Sequence, residues 1–182
     1  MAASNLSLRD LLDRLTRIIA SEAWSDDLNP TQRAALNYLA RANRFSRSPS
    51  HVADYLCATR GTVSQTLKAL ARKGLVEEMK SETDRRSIAY RLTRLGEAVA
   101  ISRSALDDVM SSLTPLELDT LTDGLSSLVR QTIAKQGGRS FGVCRTCAHH
   151  RRRGSQGWCA LLDVDLNREA SSQICHEHKA AA

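Results

Sequence analysis

Leu8, Leu11, Leu12, Leu15, Ile18 and Ile19 fall at i, i+3, i+4, i+7, i+10 and i+11, the apolar stripe of an amphipathic helix near the start of the chain. Asn29-Pro30 opens a second helix, Asn as N-cap and Pro at the first helical position, with Leu36 and Leu39 facing inward. A polar break at residues 46–50, which includes Pro49, precedes a short helix over about 50–56. A turn then leads to a longer helix over about 62–73, and Gly74 is its stop signal. Ile88, Tyr90 and Leu92 alternate with Ala89 and Arg91, a period-two strand on good β-formers. The charged stretch 80–86 before it reads as a hairpin tip. Helical periodicity resumes at 95 and runs to about 113. Thr114-Pro115-Leu116-Glu117 is then a capping box for a last long helix carrying Leu118, Leu121, Leu125 and Leu128. Gly137-Gly138 ends that helix and reads as a linker. No internal repeat is visible.

A chain of 182 residues is one domain, or one domain with a small appendage. Hydrophobic residues make up 42 % and aromatics only 4 %, so the core must be aliphatic, with Leu carrying most of it. No apolar run reaches the length of a membrane span, and the N-terminus lacks the pattern of a signal peptide. The expected location is the cytoplasm, where five cysteines are thiols or metal ligands rather than a disulfide framework. The net charge of +6 is unevenly spread. Residues 1–43 hold five basic and five acidic side chains, 44–94 hold eleven and five, 95–136 three and six, and 137–182 seven and four. Positive charge gathers in the centre and the tail, a footprint for a polyanion.

Helix, turn, longer helix and charged hairpin make a winged helix-turn-helix within a mainly α protein. The longer helix sets Thr62, Ser64, Gln65 and Lys68 between apolar Val63, Leu67 and Leu70. Its small polar groups suit base edges and phosphates, and its aliphatic ones hold the helix to the core. Arg85 and Arg86 at the hairpin tip are long enough for a minor groove or flanking phosphates. In this order, Thr62-Val63-Ser64-Gln65-Thr66-Leu67-Lys68-Ala69-Leu70, Lys73-Gly74-Leu75-Val76, Asp84-Arg85-Arg86 and Leu92-Thr93-x-x-Gly96 resemble the multiple-antibiotic-resistance regulator (MarR) family over roughly residues 6–136. The resemblance implies an obligate homodimer with the first and last helices interleaved. It also implies that Asp84 steadies the wing while Arg86 or Arg85 enters the minor groove. The leucine stripes of those helices fit this, since each needs a partner surface. Cys57, in the turn between the two DNA-binding helices, reads as a small buried thiol.

The tail departs from that family pattern, which usually stops after the sixth helix. Cys144 and Cys147 form a C-x-x-C; Cys159 follows after eleven residues and Cys175 after fifteen more. About forty residues with few core-formers are marginal for a fold of their own, so a metal that cross-links four points makes physical sense. Four soft sulfur ligands select zinc or an iron–sulfur cluster over hard cations. A zinc ribbon normally closes with a second C-x-x-C, whereas iron–sulfur clusters tolerate solitary ligands; zinc is the commoner accessory metal, and both stay open. His149, His150, His176 and His178 are expected beside such a site or facing solvent rather than as ligands. Arg151-Arg152-Arg153 reads as a solvated loop or as extra phosphate contacts.

These readings divide the chain into a DNA-binding and dimerisation domain, 1–136, and a cysteine-rich metal-binding tail, 137–182. The function they predict is a homodimeric transcriptional regulator on double-stranded DNA with a pseudo-palindromic operator. The tail stabilises itself or senses metal or redox state, and a small molecule is a further possible effector. The alternative is a metal-stabilised adaptor that uses its winged helix to dock protein. No nucleophile–base pair, phosphate loop or open metal site points to an enzyme.

Overall fold

The computed structural model describes residues 6–22, 24, 27–80, 88–154 and 156–181. Helix α1 spans Leu8–Glu22. Helix α2, Pro30–Arg41, starts where the sequence places it: Asn29 accepts from the Gln32 N–H, and the Gln32 side chain returns to the Asn29 N–H. The polar break that follows is itself structured. A single 3-10 turn occupies Arg44–Ser46, and Ser48 caps α3, Pro49–Tyr55, with the proline at its first position. Helix α4, Arg60–Arg72, begins two residues before the expected start because Thr59 caps it. Gly74, at φ 70°, then turns the chain into a two-stranded wing, β1 Val76–Lys80 against β2 Ile88–Leu92. Residues 81–87 of the wing tip, with Asp84, Arg85 and Arg86, lie outside the described residues.

The expected single helix over 95–113 is two: α5 Arg94–Ala100 and α6 Ala105–Ser111. Ser104 and Asp107 form a reciprocal capping box that starts α6 afresh. Arg33 donates to the Val99 carbonyl at 2.8 Å, filling an acceptor that a continuous helix would have used itself. The predicted capping box at Thr114 and Glu117 opens α7, Pro115–Gln136, which Gly137 closes at φ 65°.

The core gathers Leu36, Leu39, Val52, Val63, Leu67, Leu70 and Tyr90 from α2, α3, α4 and the wing. Neither α1 nor α7 buries a residue. Gly96 lies where α5 crosses the backbone of the wing: a Cβ there would stand 1.9 Å from the Leu75 carbonyl oxygen. No rotamer relieves a clash with main chain, so Gly96→Ala is expected to cost about 3 kcal/mol or more, read as a lower urea midpoint with the cysteine tail still attached.

The tail is more ordered than its composition suggests. It contains β3 Gly142–Val143 paired with β7 Ile174–Cys175. It also contains a three-stranded antiparallel sheet of β4 His150–Arg153, β5 Gln156–Cys159 and β6 Val164–Leu166, and a short α8, Arg168–Ser171. The tail folds back from Gly137 onto α2 and α3. Ile174 is buried in the main core, and Phe141 packs edge-on against Tyr38 and Tyr55, with ring centroids 6.0 and 5.1 Å away.

His51 on α3 stacks on His176 of the tail at 3.6 Å. Asp54 lies 3.6 Å from His176 Nε2 and Glu177 lies 3.3 Å from His176 Nδ1. Burial, then the positive charge that His176 can acquire, pushes His51 down to about 4; Glu177 and Asp54 oppose this and Arg139 adds to it. As pH falls the unfolded chain therefore takes up the His51 proton before the folded one. The stability this packing provides is complete above about 6.5 and is lost as pH falls toward 4. The expected result is a melting temperature less sensitive to pH over that window in His51→Gln than in wild type.

Candidate DNA interface and cysteine site

Helix α4 is amphipathic in the sense the sequence predicts. Val63, Thr66, Leu67 and Leu70 are buried, while Thr62, Gln65 and Lys68 are exposed. Ser64 is half-buried, and the Thr62 hydroxyl shares a 2.8 Å hydrogen bond with the Thr59 cap. Gln65 and Lys68 are therefore the better placed of the four for a partner in front of the helix. Sequence reasoning missed Arg60, which is exposed in the first turn of α4. The Thr59 side chain, three residues before Thr62, was the available signal that the helix starts there. Cys57 is exposed at φ 50°, so the expectation of a buried thiol is corrected. The tight turn between α3 and α4 needs a left-handed residue, and that geometry turns its side chain outward.

The wing base is joined to the rest of the domain. Arg47 sends two N–H groups to the Ala42 carbonyl, at 3.0 and 2.8 Å, and its own carbonyl accepts from Tyr90 N–H at 3.0 Å. On β1 and β2, Arg91 pairs with Glu77 at 2.6 Å.

The four tail cysteines are free, and all line one small cavity with His149, His150, Leu161, Leu166 and Glu177. Cys144, Cys147 and Cys175 are buried, and Cys159 is half-buried. Among the described residues, no group of three or more His, Cys, Asp and Glu side chains is arranged to hold a metal ion. The structure thus brings the four sulfurs to one cavity without drawing them into a coordination shell. The Cys175 side chain beside it, then burial, pushes the Cys144 thiol up, while the Cys144 side chain, with Asn43, the Glu177 N–H and Ser46, holds Cys175 below its usual range against burial. Lys179 N–H points at Cys147 Sγ from 3.4 Å. Such N–H and O–H donors stabilise sulfur as thiolate.

The tail histidines are not all at the surface. His176 is buried with its ring against His51 and Phe141, whereas His149 and His150 line the cysteine cavity. Arg151, Arg152 and Arg153 are exposed on β4, an edge strand rather than a loop, with Arg153 stacked 4.6 Å from the Trp158 ring centre.

Fold and site together define a mainly helical winged helix-turn-helix of MarR type with an extra, small β-rich C-terminal region. Residues 26–87 match the MarR family model. Among solved structures, the S. aureus MepR–DNA complex has a TM-score of 0.53 at 22 % identity, covering 68 % of this chain and 94 % of that one. Streptococcus pneumoniae FabT in complex with DNA has a TM-score of 0.53 at 22 % identity, covering 67 % and 92 %. The reduced form of MarR from E. coli has a TM-score of 0.52 at 20 % identity, covering 69 % and 98 %. Those likenesses establish the fold. None of the curated proteins matches this chain. No described helix is long and apolar enough to cross a membrane.

Proposed function

We propose that this chain is a DNA-binding transcriptional regulator acting as a homodimer on a pseudo-palindromic operator. The observation that carries the reading is the outer face of α4. Arg60, Gln65 and Lys68 project from a helix whose opposite face is locked into the core, the form of a recognition helix for a major groove. The MarR match and the two similar proteins solved with DNA support it. Arg85 and Arg86 of the wing tip supply phosphate or minor-groove contacts, and Asp84 steadies them. Thr62 and Ser64 complete the helix surface, Thr62 through its cap. A cavity of about 720 Å³ between α1, α2 and the α5–α6 break is lined by apolar Ile19, Ile101 and Leu106 and by both basic (Arg33, Arg41, Arg103) and acidic (Glu22, Asp107) side chains; such mixed walls suit a small-molecule effector with apolar and polar parts.

Cys144, Cys147, Cys159 and Cys175 hold one soft-metal centre in this reading, zinc first and an iron–sulfur cluster as the alternative, which stabilises the tail or senses metal or redox state. The support is the donor set: four thiols facing one cavity, with hydrogen-bond donors aimed at the sulfurs. A soft metal ion would take these thiols as thiolates and release their protons on binding. An absorption spectrum and metal analysis on protein purified without oxygen separate a coloured cluster from colourless zinc.

Binding curves on specific and random duplexes at several salt concentrations test the DNA assignment. Lys68→Ala is expected to weaken binding to every sequence and to lower the salt slope by about 1. Gln65→Ala should change sequence preference, by about 1–3 kcal/mol at the base it reads. A shallow salt slope in the wild type would instead favour protein docking.

A further inference from the structure

We propose that residues 42–47 of the winged helix form the second half of the cysteine site and relay its state to the DNA-binding elements; the metal reading above enters only as the identity of what the thiols hold. The polar groups of this turn are committed to the tail. Asn43, 1 % exposed, donates from its backbone N–H to the Ile174 carbonyl at 2.9 Å and from Nδ2 to Cys144 Sγ at 3.2 Å. Its Oδ1 accepts from Phe45 N–H at 3.1 Å. Ser46, also 1 % exposed, accepts from His176 N–H at 2.8 Å through its hydroxyl. Ala42 bridges to Ile174, and Phe45 packs on the cluster of Cys144, Leu166 and Cys175.

The other side of the same turn holds the DNA-binding parts. The Ser46 carbonyl accepts from Tyr38 Oη at 2.6 Å, and the Arg47 carbonyl holds β2 of the wing through Tyr90. Ser48 caps α3, the helix packed behind α4. Buried polar groups do not give up their partners without cost. Moving Cys144 therefore leaves Asn43 Nδ2 unsatisfied, and moving the strand of Ile174 and Cys175 with the His176 N–H next to it does the same to the Asn43 N–H and the Ser46 hydroxyl, unless the turn moves as well. The turn carries the wing base and the start of α3 with it. One short segment is thus biased from both sides, which coupling between two sites requires. The ordered cysteine site is the DNA-binding state; loss of that order is the weak-binding state.

The test uses the full chain, reduced and oxygen-free, and a duplex selected from random DNA by the wild-type protein. Cys175→Ser is expected to raise Kd about 5- to 150-fold with helix content and mass in solution unchanged. Asn43→Asp keeps the oxygen that caps Phe45 but puts an acceptor where Cys144 had a donor. It should weaken DNA binding over the same range with all four cysteines present, and the double variant should be no weaker than the weaker single one. Wild-type affinity in either folded variant overturns the relay. Metal content separates the two readings. Metal present in wild type, lost in Cys175→Ser and without effect on Kd sinks the relay and leaves the metal centre. No metal in wild type, with both variants weak on DNA, removes the metal centre and leaves the relay. Should either variant lose helix content, amide exchange of Phe45 and Ser46 in a Cys57→Ser background decides, before and after the remaining thiols react with a mercurial: faster exchange upholds the relay and unchanged exchange overturns it.

Discussion

Glutamate at both Leu121 and Leu125 is expected to leave the protein monomeric in sedimentation at micromolar concentration and to weaken operator binding by at least about 100-fold, the gain that two linked half-site contacts provide. Leu121 is 51 % exposed and Leu125 41 % in the single chain. Both lie on α7, whose neighbours Leu118 and Leu128 are also uncovered, as are Leu11, Leu15, Ile18 and Ile19 on α1. Two apolar helix faces of this extent need a cover, and each fully buried leucine is worth about 1.5–3 kcal/mol. The folded winged helix does not depend on them, because its own core lies in α2, α3, α4 and the wing. A double variant that stays dimeric would remove α7 from the interface.

In the metal-centre reading proposed above, Cys144→Ser abolishes metal binding, read as metal content falling from one centre per chain to near zero, while Cys57→Ser keeps it. Were the metal zinc, the site would contribute on the order of the 10–16 kcal/mol apparent at neutral pH for structural zinc in small peptides, so loss of one ligand is a large effect. The consequence reaches beyond the tail, since Ile174 is buried in the main core and Phe141 covers Tyr38 and Tyr55. Release of the tail should therefore lower the stability of the winged helix by about 2 kcal/mol or more, the worth of uncovering one large aliphatic side chain, without unfolding it. Full metal occupancy in Cys159→Ser would point to His149 or His150, which line the same cavity, as the replacing ligand.

Local signals carried most of the elements. Asn29 with Pro30, Thr114 with Glu117, and Gly74 and Gly137 each mark a boundary that a nearby backbone group needs, and such needs are legible within a few residues of the chain. The α5–α6 break escaped because the apolar rhythm runs on past Ile101, while the Ser104–Asp107 cap lies inside it. The α4 face was legible through Val63, Leu67 and Leu70, whose burial leaves Gln65 and Lys68 outside. Arg60 was not, because a helix start inferred from apolar positions falls late when the first turn is polar.

By itself the chain determined the winged helix-turn-helix, the leucine faces of α1 and α7, and which four residues of the tail can offer thiolates. Each of these rests on periodicity or on side-chain chemistry, and neither depends on what lies across the molecule. Only the tertiary structure decided that the tail is docked rather than tethered beyond Gly137. Docking is made by single groups far apart in sequence: Asn43 with Cys144, Ser46 with His176, His51 stacked on His176, and Ile174 in the core. Apart from Cys144, none of them belongs to a repeat or a motif. A buried asparagine finds whatever partner the fold brings to it, and here that partner is a cysteine sulfur 101 residues away.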